Sequence, residues 1–177
     1  YVGLPLAIAL AEHFSVLGFD IDNGRTEELR QGQDRTGEVA SDALKISKAT
    51  YTSNVSDLAG SNVFIIAVPT PVDDDNVPDL GPLRGACDSV GPHVIQGSIV
   101  VFESTVFPGA TEEICGPILE RHSGLVCGKD FFLGYSPERI NPGDTEHTVT
   151  NIVKVVAGQT PEVSAVLEDL YGRITKA

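Results

Sequence analysis

Short, continuous runs of apolar residues bounded by turn-forming residues are the feature that most limits the possible folds. Asn62–Val68 (NVFIIAV) lies between Gly60 and Pro69, and Ser98–Glu103 (SIVVFE) is of similar length. Such runs are typical of strands buried on both faces, which occur in parallel sheets covered by helices. Helical patterns alternate with these runs along the chain. The sequence therefore predicts an α/β fold with a doubly wound, mostly parallel sheet.

The remaining elements follow the same alternation. The sequence predicts helices over 3–13, 25–31, 80–94, 110–122 and 161–171, and less clearly over 42–49. It predicts further strands over 15–20, 131–135 and 152–157. Polar and proline-rich clusters follow three of the strands, at VPTP, EST and SPER. Ligands of open α/β sheets bind beyond the carboxyl ends of the strands, so these clusters are candidates for a site.

Composition excludes several classes of function. The chain has 177 residues and a formal net charge of −13. That field repels polyanions, so neither a nucleic acid nor an anionic membrane surface is expected as a partner. No apolar stretch approaches the roughly 18 residues that span a bilayer. The cysteines and histidines show no spacing that predicts a metal site. The odd number of cysteines favours free thiols and a cytoplasmic location.

The first helix opens on glycine, and the strand after it ends at an acid. Gly3 begins the apolar segment GLPLAIALA, and Asp20 ends the next strand. This spacing fits the second half of a dinucleotide-binding unit, in which Gly3 is the third glycine of GxGxxG. Asp20 would then bind the ribose hydroxyls and repel a 2′-phosphate, which favours NAD over NADP. A helix glycine and a strand-end aspartate in an unrelated α/β protein remain an equal alternative at this point.

Six stretches of sequence are informative when taken together. In chain order they are YVGLPLAIALA, GFDID, FIIAVPTPVD, VPDLGPL, VVFESTVFPGATEE and GYSPERINPGD. Together they resemble the UDP-glucose/GDP-mannose dehydrogenase family over essentially the whole chain. Members begin with a strand and GLGYVGLPLA, so the resemblance implies that residues 1–177 are an NAD-binding Rossmann domain without its first strand. It also implies that the family's cysteine and lysine, and its further domains, lie outside this segment. The segment is therefore expected to be inactive by itself.

The resemblance assigns cofactor-binding residues by position. Tyr1, Val2 and Gly3 match the turn whose N–H groups face the pyrophosphate of NAD. Asp20 matches the ribose-binding carboxylate, and Arg25 matches the basic residue near the adenosine. The alternatives are a frayed chain end for the first three residues and a solvated helix residue for Arg25.

Other residues are assigned to the reaction and the substrate. Thr70 matches a threonine beside the cofactor, and Thr105 a catalytic threonine near the nicotinamide. Glu138 matches the glutamate that activates the hydrolytic water and also contacts substrate. Local capping of turns is the alternative for the threonines, and an ion pair is the alternative for the glutamate. Arg139, Ile140 and Asn141 match the substrate-contacting stretch that follows.

The family oxidises the C6 hydroxyl of a nucleotide sugar through a thioester, with two NAD per turnover. ERINPG is most similar to the branch acting on UDP-N-acetylglucosamine or UDP-N-acetylgalactosamine, in surface polysaccharide biosynthesis. Full-length members form homodimers. Alternatives are a UDP-glucose 6-dehydrogenase, a related β-hydroxyacid dehydrogenase, and a segment that binds NAD without catalysis. Cys87, Cys115 and Cys127 are expected to be packing residues.

Overall fold

The computed structural model describes residues 2–72, 74–75, 77–138 and 151–175. Its helices are α1 (Gly3–Ala11), α2 (Asn23–Arg30), α3 (Ser41–Ile46), α4 (Gly81–Val90), α5 (Gly116–Ser123) and α6 (Pro161–Gly172). Its strands are β1 (Leu17–Phe19), β2 (Thr50–Thr52), β3 (Val63–Ile66), β4 (Ile99–Phe102), β5 (Phe132–Tyr135) and β6 (Ala157–Gly158). Short 3₁₀ helices cover Val55–Leu58 and Gly91–His93. The alternation confirms the predicted α/β class.

The described strands form two sheets. β1 pairs in parallel with β2, and the second sheet has the order β3-β4-β5-β6. Only β6 is antiparallel to its neighbour. The structure thus has the mostly parallel pairing that the sequence predicts, divided between a two-stranded and a four-stranded sheet. The chain likewise divides into two compact units.

The first unit contains residues 1–58, 139–154 and 170–177. Its core consists of Leu29 from α2, Leu44 from α3 and Tyr51 from β2. Leu4 and Ile8 of α1 pack against that core. A Cβ atom at Gly18 in β1 would lie 2.8 Å from Cδ1 of Tyr51. The glycine therefore lets the tyrosine ring lie directly against the strand. The sequence did not predict β2, since TYT is short and largely polar.

The second unit contains residues 59–138 and 155–169. All four residues of β4 are buried, because β3 and β5 flank the strand. Helix α4 buries Leu83, Cys87 and Val90, whose spacing places them on one face. Gly124 ends α5 with φ of 72°, a conformation that favours glycine. The buried β4 confirms the predicted central strand.

The predicted helix over 110–122 contains two forms of helix. Ala110–Cys115 is a π-helix, and α5 follows directly. The π-helix begins after Gly109, which has φ of 90°. Wider turns of this kind are rare and often occur at functional sites. The hydrophobic spacing of the sequence indicates a helix here, but it does not distinguish a π from an α turn.

Helix α6 lies very close to β6, and a glycine permits the contact. A Cβ atom at Gly158 would lie 2.4 Å from the backbone nitrogen of Ser164 and 2.7 Å from the carbonyl carbon of Val163. These are backbone atoms, which cannot move aside as a side chain can. We expect Gly158→Ala to lower the free energy of unfolding by about 2–3 kcal/mol, measured by urea denaturation.

Gly85→Ala provides the matched control. Gly85 is an exposed residue inside α4, and a Cβ atom there would meet no neighbouring atom within 4 Å. This change should raise the free energy of unfolding by about 0.5–1 kcal/mol through helix propensity. Equal effects of the two substitutions would contradict the steric argument.

Candidate functional site

Asp20 lies at the carboxyl end of β1, as the sequence predicts. Its backbone N–H donates to the Thr52 carbonyl oxygen (3.1 Å), which extends the pairing of β1 with β2 by one residue. The side chain is exposed, and its Oδ1 accepts a hydrogen bond from the backbone N–H of Asp22 (2.9 Å). This turn holds the carboxylate at the end of the strand, where a carboxylate can bind ribose hydroxyls.

The first turn of α1 has no side-chain cap among the described residues. Val2 precedes the helix, Gly3 begins it, and neither a capping side chain nor an acidic residue occupies its first turn. The first N–H groups of a helix have no intrahelical acceptor, and the helix dipole makes this end attractive to anions. Val2 and Gly3 are thus placed at a helix end that can bind a pyrophosphate. Tyr1 lies outside the described residues.

Arg25 is held in place by a buried carboxylate. Its Nη2 donates to Oδ1 of Asp34 at 2.6 Å, and the side chains are 12% and 1% exposed respectively. The predicted alternative of a solvated helix residue therefore does not apply. Nη1 lies 3.9 Å from Oε2 of Glu28 and has no hydrogen-bond partner among the described residues. That nitrogen is buried, and the role of Arg25 at the adenosine remains a prediction.

Asp34 is the residue on which this arrangement depends. Burial alone would raise the pKa of its carboxyl group. The hydroxyl of Thr36, the guanidinium of Arg25 and the backbone N–H groups of Val39 and Thr36 all bond to it and hold the pKa well below its usual value. Asp34 is therefore ionised at neutral pH and fixes both Arg25 and the loop that follows α2.

The carboxyl ends of β3, β4 and β5 lie side by side in the second unit. Their register pairs Ile66 with Phe102 and Phe102 with Tyr135, so the three strands end together. The loops after β3 and β4 are joined by side-chain hydrogen bonds. Thr70 Oγ1 donates to the Thr105 carbonyl oxygen (2.7 Å), and Ser104 Oγ donates to the Val68 carbonyl oxygen (2.6 Å). The two predicted threonines therefore lie together on one rim.

A cavity of about 330 Å³ lies at this rim. The two threonines line it together with five largely apolar residues: Val72, Pro78, Leu80, Val106 and Phe107. An apolar cleft with a few polar groups at its edge is typical of small-molecule sites. Phe107 is 45% exposed and forms part of the wall. The sequence did not indicate Phe107, because a lone aromatic residue in a loop carries no periodic signal.

Glu138 follows β5 at the same carboxyl edge and is half-buried. Two further polar residues are buried at this edge, Glu103 after β4 and Ser136 after β5. The Ser136 backbone N–H donates to the Phe102 carbonyl oxygen (3.0 Å), which places the serine beside the end of β4. Both residues belong to the polar clusters that the sequence predicts at this edge, but neither was assigned a role of its own. Arg139, Ile140 and Asn141 lie outside the described residues, and their role remains a prediction.

The three thiols do not have the properties of an activated nucleophile. Cys87 and Cys115 are fully buried. Contact with the Cys115 thiol and burial raise the pKa of Cys87, and burial raises the pKa of Cys127. Contact with the Cys87 thiol lowers the pKa of Cys115. A catalytic cysteine needs both a lowered pKa and access to solvent, and the buried Cys115 lacks the second. The structure is therefore consistent with the prediction that these cysteines are packing residues.

The mostly parallel sheets, the open first turn of α1 and an acid at the end of β1 define a Rossmann-like dinucleotide-binding domain. Sequence comparison matches residues 1–175 to the UDP-glucose/GDP-mannose dehydrogenase family, NAD binding domain. The chain therefore belongs to this family, as its NAD-binding domain. This confirms the resemblance in six sequence stretches.

Individual relatives agree with this membership. Protein CapL of Staphylococcus aureus is 54% identical, and a UDP-N-acetyl-D-glucosamine 6-dehydrogenase of Pseudomonas aeruginosa is 53% identical; both comparisons cover the whole chain. The structure of a UDP-D-ManNAc dehydrogenase from Pyrococcus horikoshii superposes with a TM-score of 0.89 at 34% identity, over the whole chain and 43% of that protein. The chain spans 42% of the length of the two curated relatives.

The bonds to Asp34 predict a pH-dependent stability. A carboxyl group whose pKa is lowered by folding stabilises the protein above its ordinary pKa of 3.8, and this stabilisation is lost as the pH falls below that value. We expect Asp34→Asn to lower the free energy of unfolding by about 2 kcal/mol at pH 7. In urea denaturation at several pH values, the difference between the two proteins should shrink below pH 3.8.

Asp42→Asn removes the same charge from an exposed site in the first turn of α3. It should change the free energy of unfolding by no more than about 0.5 kcal/mol. A constant difference between the Asp34→Asn protein and the unaltered protein at every pH would contradict the role of the ionised Asp34.

Proposed function

We propose that this chain binds NAD for an enzyme that oxidises the C6 hydroxyl of UDP-N-acetylglucosamine to the uronic acid. The observation that carries the proposal is the placement of Asp20 at the carboxyl end of β1, following an α1 helix whose first turn is free of acids. The carboxylate accepts hydrogen bonds from the adenine ribose, and the first turn of α1, with Val2 and Gly3, binds the pyrophosphate. Tyr1, which lies outside the described residues, is proposed to bind the pyrophosphate as well.

We propose that the rim of the four-stranded sheet binds the nicotinamide, which is the reacting end of NAD. Thr70 fixes the loop that carries Thr105 through the 2.7 Å hydrogen bond. The Thr105 hydroxyl, which is on an exposed residue, positions a polar group of the nicotinamide or the reacting carbon. The apolar wall of the cavity, Phe107 included, excludes water from the ring. NAD supplies the hydride acceptor when it is bound.

Glu138 acts on the substrate side of this rim. It follows β5, whose carboxyl end is aligned with that of β4. We propose that it activates the water that hydrolyses the thioester, while Arg139, Ile140 and Asn141 contact the UDP-sugar. The cysteine that forms the thioester is expected in the part of the relatives that this chain does not cover. Residues 1–177 are proposed to act as one NAD-binding domain.

The choice of sugar is supported by two relatives, both called UDP-N-acetyl-D-glucosamine 6-dehydrogenase, that are 53% and 44% identical to this chain. The ERINPG stretch, in which Pro142 stands where other branches have a second glutamate, favours the same branch. We further propose that the whole protein is a cytoplasmic homodimer whose product enters surface polysaccharide synthesis. The three free thiols are in keeping with a reducing compartment.

Binding of NADH tests the cofactor site directly. The purified chain should enhance NADH fluorescence in a saturable manner, and Asp20→Ala should weaken binding about tenfold, because the ribose hydroxyls lose a charged acceptor. Asp42→Asn, which removes a charge from α3, should leave the dissociation constant unchanged. Equal binding by the Asp20→Ala and unaltered chains would contradict the proposed ribose contact.

A chimeric enzyme tests the reaction and the substrate. The chain would replace the 178 matched residues of the Pseudomonas aeruginosa relative, which is 53% identical over them. We expect the chimera to reduce NAD when UDP-N-acetylglucosamine is added, and to lose this activity with Glu138→Gln. Turnover with UDP-glucose or UDP-N-acetylmannosamine in preference to UDP-N-acetylglucosamine would contradict the proposed substrate.

A further inference from the structure

Asp22 lies two positions after Asp20. It bonds to the two groups near Asp20 that could otherwise bind the 2′-phosphate of NADP. Asp22 is drawn toward Asp20 by the hydrogen bond from its backbone N–H to Asp20 Oδ1 (2.9 Å). In dinucleotide-binding domains, an NADP 2′-phosphate lies beside the residue that would bind the ribose hydroxyls. If NAD binds at Asp20 as proposed, Asp22 faces the position of that phosphate. This inference therefore rests on the proposed function.

The first group is the N-terminus of α2. Asp22 is the N-cap of this helix, and its Oδ1 accepts a hydrogen bond from the backbone N–H of Gly24 (2.8 Å). A helix N-terminus is a ready site for phosphate, because its N–H groups and dipole favour negative charge. In this chain the aspartate already supplies that charge.

The second group is the guanidinium of Arg35. Its Nη2 donates to Oδ2 of Asp22 (2.8 Å), and its Nε lies 2.8 Å from Oε2 of Glu28. Arg35 lies over the first turn of α2, since a Cβ atom at Gly24 would be 3.9 Å from its Nη2. The side chain is 47% exposed, so it would be free to turn toward a phosphate if the carboxylates did not hold it.

The ionisation of Asp22 is secured by the same contacts. The backbone N–H of Arg25, the guanidinium of Arg35 and the backbone N–H of Gly24 lower the pKa of Asp22, and together they outweigh the opposing effect of desolvation. Among the described residues, the charges that bond around this turn are Asp20, Asp22, Glu28 and the buried Asp34, against Arg25 and Arg35. A 2′-phosphate would therefore enter a region with an excess of negative charge.

We propose that Asp22 is a specificity-determining residue that excludes NADP independently of Asp20. One of its carboxylate oxygens occupies the N-terminus of α2, and the other occupies Arg35. Without Asp22, the helix end and Nη2 of Arg35 would be available to the 2′-phosphate of NADP, while Nε of Arg35 would remain with Glu28. Arg35 is thus a phosphate-binding cation kept out of use by its carboxylate partners.

The experiment compares NADH and NADPH binding by fluorescence titration of the full chain and its variants. Asp22→Ser retains a hydroxyl that caps α2 and removes the carboxylate. We expect this variant to lower the ratio of the NADPH to the NADH dissociation constant about tenfold, because a repulsive contact is replaced by a charge-assisted one. Adding Arg35→Ala to Asp22→Ser should remove the part of this change that comes from the guanidinium, so the ratio should rise back toward that of the unaltered chain.

Glu27→Gln is the matched control, because it removes one negative charge from the same helix. Glu27 is exposed and bonds only to Arg30 and Gln31 in the described structure. In the Glu27→Gln variant, the ratio of the NADPH to the NADH dissociation constant should stay within about twofold of that of the unaltered chain, as expected for an exposed charge outside the site. Asp22→Asn, which keeps the shape and the cap, provides a second variant in case Asp22→Ser unfolds, and thermal melting reports the folding of each.

The outcomes separate this inference from the proposed function. NADH binding that depends on Asp20, with a ratio unchanged in both folded Asp22 variants, would overturn the role of Asp22 alone. An equal change with Glu27→Gln, or a gain in NADPH binding that keeps its full size when Arg35→Ala is added, would overturn it as well. Absence of NADH binding to the unaltered chain, or NADH binding that Asp20→Ala does not weaken, would overturn the proposed function and this inference with it.

Discussion

The shared register of three parallel strands is the constraint on which the candidate site depends. β3, β4 and β5 pair so that Ile66, Phe102 and Tyr135 lie in one row. Polar or proline-rich residues follow all three strands, directly after β4 and β5 and two residues later after β3, and they meet at one edge. A slip of one residue would turn the side chains of a strand to its opposite face and would separate the polar groups. The site is therefore a consequence of how the apolar residues of β4 are buried.

Two short hydrogen bonds join the loops that follow β3 and β4 and hold them in place at the rim of the sheet. Ser104 reaches back to the Val68 carbonyl oxygen, and Thr70 reaches across to the Thr105 carbonyl oxygen. Hydroxyls of serine and threonine are suited to this task, because they satisfy backbone groups where the sheet ladder ends. The same threonine can thus be a structural residue and a neighbour of the ligand. The local alternative for Thr70 and its functional assignment do not conflict.

Secondary structure was predicted most accurately for the elements whose structure is determined by burial. The strands around Val63–Ile66 and Ile99–Phe102 were predicted within a few residues, because continuous apolar runs have few other structures available. β2 was not predicted, because TYT shows no such run, and its position depends on pairing with β1. The π-helix was predicted as an ordinary helix, because periodicity is too coarse to distinguish the two.

The candidate site was predicted in part for a related reason. Asp20, Thr70 and Thr105 each follow a strand, so their position could be inferred from chain order. The partners of Arg25 and Asp22 could not, because the loop after α2 brings Asp34 and Arg35 back to the helix from 9 and 13 residues away. An Asp-x-Thr pattern at Asp34 and Thr36 is a signal of a side-chain-stabilised turn and could have indicated the first of these contacts.

The charge of the chain explains why the ends of α1 and α2 differ. With a net charge of −13, the domain attracts no anion through its overall field, so an anionic cofactor must be bound by local groups. Helix N-termini are such groups, provided that no acid already occupies them. α1 has no capping side chain and no acidic residue in its first turn, whereas α2 is capped by Asp22. The N-terminus of α1 therefore carries no competing carboxylate of its own, which supports the proposed pyrophosphate site, whereas Asp22 supplies a negative charge at the N-terminus of α2. The uncapped N-terminus of α1 is suited to a pyrophosphate. The N-terminus of α2, which Asp22 caps beside Asp20, is suited to a ribose without a 2′-phosphate.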